Sequence, residues 1–313
     1  MSEVIVNLLP VTEAEKLEFE AIAPHAEHIY AGRKTVTEED LARATVLFGW
    51  PRAKMLPGCG NLKWLQTMWA GADEYLDVMP EGATLTSSSG SNARSVAEHM
   101  LACTLSLFRV LPTYRDSQRA HHWERENAMK TLLDATVLVV GAGNIGGSYA
   151  KMCRDLGSHT IGVKRTATPV EGFDEVYSLD HLDELLPKAD VVALVMPHNP
   201  QSVGLMSKER IALMKDDAVL ISCGRGSVLD QDALVEAMQG GKLWGAAMDV
   251  TEPEPLPADH PLWDIPNLII TPHVAGNMLL EVTRRTCIEM AQDNLRKYLK
   301  GEKLDRVVIQ GKV

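Results

Sequence analysis

The chain has 313 residues, 45% of them hydrophobic and 23% charged, with a formal net charge of −11 at pH 7. That length suits two domains at roughly 100–200 residues each, and the apolar share excludes a disordered chain. The acidic balance argues against a nucleic-acid binder, which needs a basic face for phosphates, and against a basic membrane-surface anchor.

The opening MSEVIVNLLP lacks a basic region ahead of a long apolar run, so no signal peptide is expected. No stretch approaches the ~20 apolar residues that span a bilayer, and a cytoplasmic location is the expectation. Cys59, Cys103, Cys153, Cys223 and Cys287 are scattered without a CxxC pair. Neither a disulfide framework nor a metal site is expected from them.

Residues 1–90 read as short α/β units. An apolar run at 4–8 is a strand, and Thr12 leads a capping-box pattern with Glu15 into a helix. Thr37 opens another helix, and buried strands are expected at 45–48 and 62–68, the second ending at Trp69-Ala-Gly-Ala-Asp. Residues 93–111 predict one long amphipathic helix ended near Pro112, on which His99 reads as a structural histidine. The alternation then restarts, with strands predicted at 136–140, 160–163, 190–195, 218–222, 243–249 and 268–271. A Gly-rich turn plus helix is expected at 141–156, further helices near 180–187, 207–214 and 230–240, and a last one at 278–300 leads into a short tail. Strands alternating with helices imply parallel sheets. We therefore expect an α/β protein of two doubly wound domains. One is discontinuous, 1–100 plus 277–313, and the other, 101–276, is inserted into it, with the active site in the cleft between them.

Three features carry chemistry. The first is GAGNIG at 141–146, between an apolar strand and a helix. Gly141 allows a tight turn, Gly143 lets backbone approach a pyrophosphate, and Gly146 lets helix and strand pack closely, with free N–H groups at Asn144 and Ile145. The second is the end of the next strand, where an NAD-selective site carries an acid about 20 residues after the glycines. Here stand Lys164, Arg165 and Thr166, which suit the 2′-phosphate of NADP.

The third is a trio of polar clusters at successive strand ends: Cys223-Gly224-Arg225, Asp249 to Glu254, and Thr271-Pro-His273-Val-Ala-Gly276. Glycine-flanked Arg225 leaves little crowding around a guanidinium whose fork matches a carboxylate. A carboxylate hydrogen-bonded to His273 would favour the imidazolium, the general acid that protonates a carbonyl oxygen as hydride arrives at carbon.

Over nearly the whole chain these motifs resemble the D-isomer-specific 2-hydroxyacid dehydrogenases, and Lys164 resembles the NADP-using, glyoxylate/hydroxypyruvate reductase-like branch. The resemblance implies Arg225 as the substrate-carboxylate arginine, Glu254 as the carboxylate partner and His273 as the acid/base. It implies Trp69, Ala70 and Gly71 as the substrate loop, with Pro197, Ser202, Cys223, Gly224, Asp249, His273 and Gly276 at the cofactor. It further implies a small 2-keto acid substrate, NADPH in preference to NADH, a homodimer and no metal. Ala is common in the family where Gly224 stands, a change not expected to disturb chemistry. The other readings are a nucleotide-sensing, corepressor-like binding protein, or a formate- or phosphite-type dehydrogenase.

Overall fold

The structure, a computed structural model, describes residues 3–126 and 128–311. The chain opens with β1 (Val4–Asn7), α1 (Glu13–Ile22), β2 (Glu27–Tyr30), α2 (Glu38–Arg43), β3 (Val46–Gly49), β4 (Trp64–Thr67) and β5 (Thr84–Thr86). It continues through α3 (Ala93–Phe108), α4 (Leu111–Arg119), β6 (Thr136–Val140), α5 (Asn144–Asp155), β7 (His159–Lys164), β8 (Glu175–Ser178) and α6 (Leu182–Leu185). Next come β9 (Val191–Leu194), α7 (Lys208–Leu213), β10 (Val219–Ser222), α8 (Gln231–Gln239), β11 (Gly245–Met248) and β12 (Leu268–Ile270). Helix α9 (Glu281–Leu299) and β13 (Val307–Ile309) follow. These elements form two compact units, Met1–Asn92 with Met278–Val313, and Ala93–Asn277.

The first unit is a six-stranded sheet in the order β13-β5-β4-β3-β1-β2. It is parallel except at β13, which runs antiparallel to β5, so the expected short tail contains an edge strand. Helices α1 and α2 start as the sequence predicts. The hydroxyls of Thr12 and Thr37 accept from the third helical N–H, while Glu15 and Asp40 reach back to the cap. One face of the sheet buries Ile5, Phe48 and Trp64 with Phe19 of α1 and Ile288 and Leu295 of α9. Trp64 stacks on Tyr298 at 5.3 Å and meets Phe48 edge-on at 5.0 Å. Burying a side chain of that size contributes about 1.5–3 kcal/mol.

The second unit is a seven-stranded parallel sheet in the order β12-β11-β10-β9-β6-β7-β8. Its central strands are buried on both faces, which is why they read as unbroken apolar runs. The order reverses between β6 and β9, the switch point where ligands bind in open α/β sheets. All of α3 packs here: Val96, Met100, Leu107 and Phe108 join Val139, Tyr149 and Cys153 in one core. The unit accordingly starts at Ala93, ahead of the residue 101 expected from the sequence. Nor do residues 93–111 make one helix. Val110 turns left-handed at φ 48°, and Pro112 opens α4, where its missing N–H would have had no helical partner anyway.

Among the described residues, no helix is long and apolar enough to cross a membrane, and no cluster of three His, Cys, Asp or Glu could hold a metal ion.

Candidate active site

The glycine loop joins β6 to α5. Gly141 has φ 115°, and a Cβ there would lie 2.8 Å from the carbonyl oxygen of Val195. The amides of Gly141 and Ala142 both donate to Val163 O, at 2.8 and 3.0 Å, which sets the loop beside the end of β7. A Cβ on Gly146 would come within 2.4 Å of Gly141 O, whereas a Cβ on Gly143 would meet nothing within 4 Å. Helix α5 begins at Asn144 and Ile145 with no side-chain cap and no acid in its first turn. An uncapped helix start beside open space fits a dinucleotide pyrophosphate, since free N–H groups and the helix dipole favour an anion there. At the end of β7, Lys164 Nζ donates to Thr168 Oγ1 at 3.2 Å, and Arg165 and Thr166 are exposed.

Beyond β9, Pro197 begins a turn whose shape Ser202 sets. The fully buried Ser202 hydroxyl donates to Pro197 O at 2.6 Å and accepts from Asn199 N at 2.9 Å. His198 Nδ1 lies 2.8 Å from Ser227 Oγ, tying this turn to the Arg225 segment.

Strands β10, β11 and β12 are neighbours in one parallel register, so the segments after them leave the sheet at the same edge. They carry Arg225, Glu254 and His273 respectively. The glycines around Arg225 are there because nothing else fits. A Cβ on Gly224 would sit 2.5 Å from Met196 O, and one on Gly226 would sit 2.1 Å from Thr251 O. Gly224 in place of Ala is thus a packing requirement in this chain. Arg225 itself donates from one guanidinium nitrogen to Gly224 O at 2.9 Å. Neighbouring Cys223 is half-buried, and its desolvation, with Asp249 nearby, pushes its thiol well above the usual range.

His273 and Glu254 do meet, with Nδ1 2.9 Å from Oε2. The other oxygen, Oε1, accepts from Thr251 N at 3.1 Å. Asp249, 4% exposed, organises the His273 loop. Its Oδ1 accepts from the Thr271 hydroxyl at 2.6 Å and Val274 N at 2.9 Å, and its Oδ2 accepts from Ala275 N at 3.0 Å. Thr271 Oγ1 also lies 3.2 Å from His99 Nε2. Gly276 lies in the turn just after Ala275.

In the first unit, Trp69 O accepts from the buried Thr67 hydroxyl at 2.8 Å and from Ser88 N at 3.0 Å, and its indole meets Trp50 edge-on at 5.9 Å. These bonds fix the loop that continues through Ala70 and Gly71.

The sequence reading did not single out Gln231 or His198, which carried no readable signal; His99, read there as structural, has its partner in Thr271.

A family profile described as the NAD binding domain of D-isomer specific 2-hydroxyacid dehydrogenases matches residues 101–275. A D-3-phosphoglycerate dehydrogenase from Mycobacterium bovis is 31% identical over 254 residues, 80% of this chain, and the match spans 47% of that longer protein. Among solved structures, a D-isomer specific 2-hydroxyacid dehydrogenase family protein from Aeromonas salmonicida superposes with a TM-score of 0.88 at 31% identity, over 99% of both chains. A D-isomer specific 2-hydroxyacid dehydrogenase from Xanthobacter autotrophicus, solved with NADPH and MES, gives 0.82 at 27% identity, also over 99% of both. The chain belongs to the D-isomer-specific 2-hydroxyacid dehydrogenases, a family of NAD(P)-dependent oxidoreductases.

Proposed function

We propose that this protein reduces small 2-keto acids to D-2-hydroxy acids with hydride from NADPH, and that His273 is the general acid. The observation that carries the proposal is the 2.9 Å His273–Glu254 pair, in the segments after β12 and β11, with β11 in turn paired to β10, the strand that leads into Arg225. With the Nδ1–H given to Glu254, Nε2 is the nitrogen that faces substrate. Glu254 orients the ring, and the Nε2–H passes to the carbonyl oxygen as negative charge develops there. Arg225 offers a two-pronged fork to the substrate carboxylate, and the Trp69, Ala70 and Gly71 loop is proposed to bind the same substrate.

The reduced nicotinamide, when bound, supplies the hydride. The residues proposed to hold the dinucleotide are the Gly141–Gly146 loop with the Asn144 and Ile145 amides, and Lys164, Arg165 and Thr166 at a 2′-phosphate. Pro197, the turn set by Ser202, Cys223, Gly224, Asp249 and Gly276 are proposed for the nicotinamide end. The preference for NADPH is supported by two cations where an acid would select NAD, and by the Xanthobacter relative solved with NADPH. A cytoplasmic homodimer belongs to the same proposal, on the strength of the resemblance.

The test is the rate of NADPH and of NADH oxidation across a panel of small 2-keto acids. Turnover with NADPH well above NADH is expected. His273→Gln should cut kcat by roughly 10²–10⁴-fold and leave NADPH binding intact. Near-full turnover in that variant overturns the acid assignment, and faster NADH oxidation overturns the cofactor preference.

A further inference from the structure

Glu254 lies on a loop, and general acid–base chemistry requires its partner to be held to a fraction of an ångström. We infer that Gln231 is a positioning residue for the reaction proposed above, fixing the loop that sets Glu254 against His273. The inference rests on that reading of the site.

Gln231 is the first residue of α8 and is 9% exposed. Its Nε2 donates to Glu252 O at 2.5 Å, and its Oε1 accepts from Glu252 N at 3.2 Å. Both polar ends of one side chain are thus spent on both backbone groups of one residue, two positions before Glu254. The base of this brace is itself fixed, because Asp230 caps α8 by accepting from Ala233 N at 3.0 Å.

A second join lies close by. The bare Cα of Gly226 presses on Thr251, as the 2.1 Å approach of a would-be Cβ shows. Thr251 N in turn donates to Glu254 Oε1, which leaves Oε2 for His273. Segment 225–231 and loop 251–255 are therefore joined at two points, Gly226 and Gln231. A path of direct contacts runs from the Gln231 amide through the Glu252 backbone to the carboxylate on His273. Glu252 is exposed, so water can replace the lost hydrogen bonds if Gln231 is removed. What water cannot replace is position, and a misplacement of about 1 Å costs on the order of 100-fold in rate.

Two variants of the full chain test this. Gln231→Met keeps the length and removes both polar atoms, and Gln231→Glu keeps the acceptor and removes the donor. Each is measured for kcat, KM and NADPH Kd, alone and combined with Glu254→Gln, and for hydrogen exchange across residues 251–255. Gln231→Met should lower kcat about tenfold while KM and Kd stay within about twofold, and Gln231→Glu should fall between it and the parent. With Glu254→Gln already present, Gln231→Met should cost nothing further, because its route to the reaction is gone. Exchange at 251–255 should quicken in Gln231→Met whether or not turnover is found, and if that variant does not fold, Gln231→Glu carries the same readouts. Unchanged kcat, an equal loss in both backgrounds, or unchanged exchange overturns the inference. Full activity of Glu254→Gln and His273→Gln would instead overturn the reading of the site.

Discussion

Gly143 and Gly146 belong to one motif but do opposite things. Gly143 faces open space, while Gly146 is pressed against Gly141 O. Gly143→Ala should fold with stability changed by no more than about 1 kcal/mol. Its added methyl would occupy the place proposed for the pyrophosphate, so the Kd for NADPH should rise at least about tenfold. Gly146→Ala forces backbone apart and should cost roughly 1–3 kcal/mol. Urea denaturation and nucleotide titration of both variants check this pair, and unaltered NADPH affinity in Gly143→Ala would remove the pyrophosphate from that loop. His273 shows a different constraint. It is held at φ 52°, a left-handed backbone that costs a non-glycine residue about 1–3 kcal/mol. Its N–H donates to Asp249 O at 2.9 Å, and the Asp249 carboxylate takes the next two amides. Asp249 thus holds the loop in a shape the histidine would not adopt alone.

At the scale of elements, α1 and α9 are tied through Glu15 and Arg284. The guanidinium donates to both carboxylate oxygens at 2.7 and 3.0 Å, with the two side chains 14% and 15% exposed. The hydrogen bond from Arg284 holds the Glu15 carboxyl below its ordinary value of 4.5. A depressed folded-state value means the pair's contribution is complete above the unfolded value and is lost as pH falls through the folded one. Parent protein should therefore be more stable than Glu15→Gln near neutrality, and the gap should close as pH drops below roughly 4.5. Denaturation midpoints of both proteins across that range measure it, and a gap that does not change with pH would mean that the charge of Glu15 adds nothing. The sequence displayed the elements of the sheet interior well, because strands buried on both faces, such as β6 and β9, are continuous apolar runs. It hid β2, β8 and β13, which lie at sheet edges with half-exposed side chains, and β5, whose three residues include two threonines. Within the candidate site, the clusters holding Arg225, Glu254 and His273 were legible because each follows a strand, and Glu254 itself was singled out by the resemblance. Gln231 was not, since its partners are backbone atoms 21 residues away and no periodicity marks such a bond.

For the whole molecule, residues 93–277 contain a complete sheet with both faces covered. That segment expressed alone should melt cooperatively and bind NADPH. Starting it at residue 101 instead removes Val96, Ala97 and Met100 from the core and should lower its melting temperature; equal stability of the two would show that the first two turns of α3 add nothing. The other sheet has no such independence, because α9 and β13 complete it from the far end of the chain. Protein synthesis runs in one direction, so Trp64 leaves the ribosome long before Tyr298, the ring that covers it. At about 5–20 residues per second, that delay is roughly 10–50 s. Throughout it, the apolar face of Ile5, Phe48 and Trp64 has no α9 to cover it. This half of the protein thus carries an uncovered apolar face through most of synthesis, the kind of surface on which nascent chains aggregate.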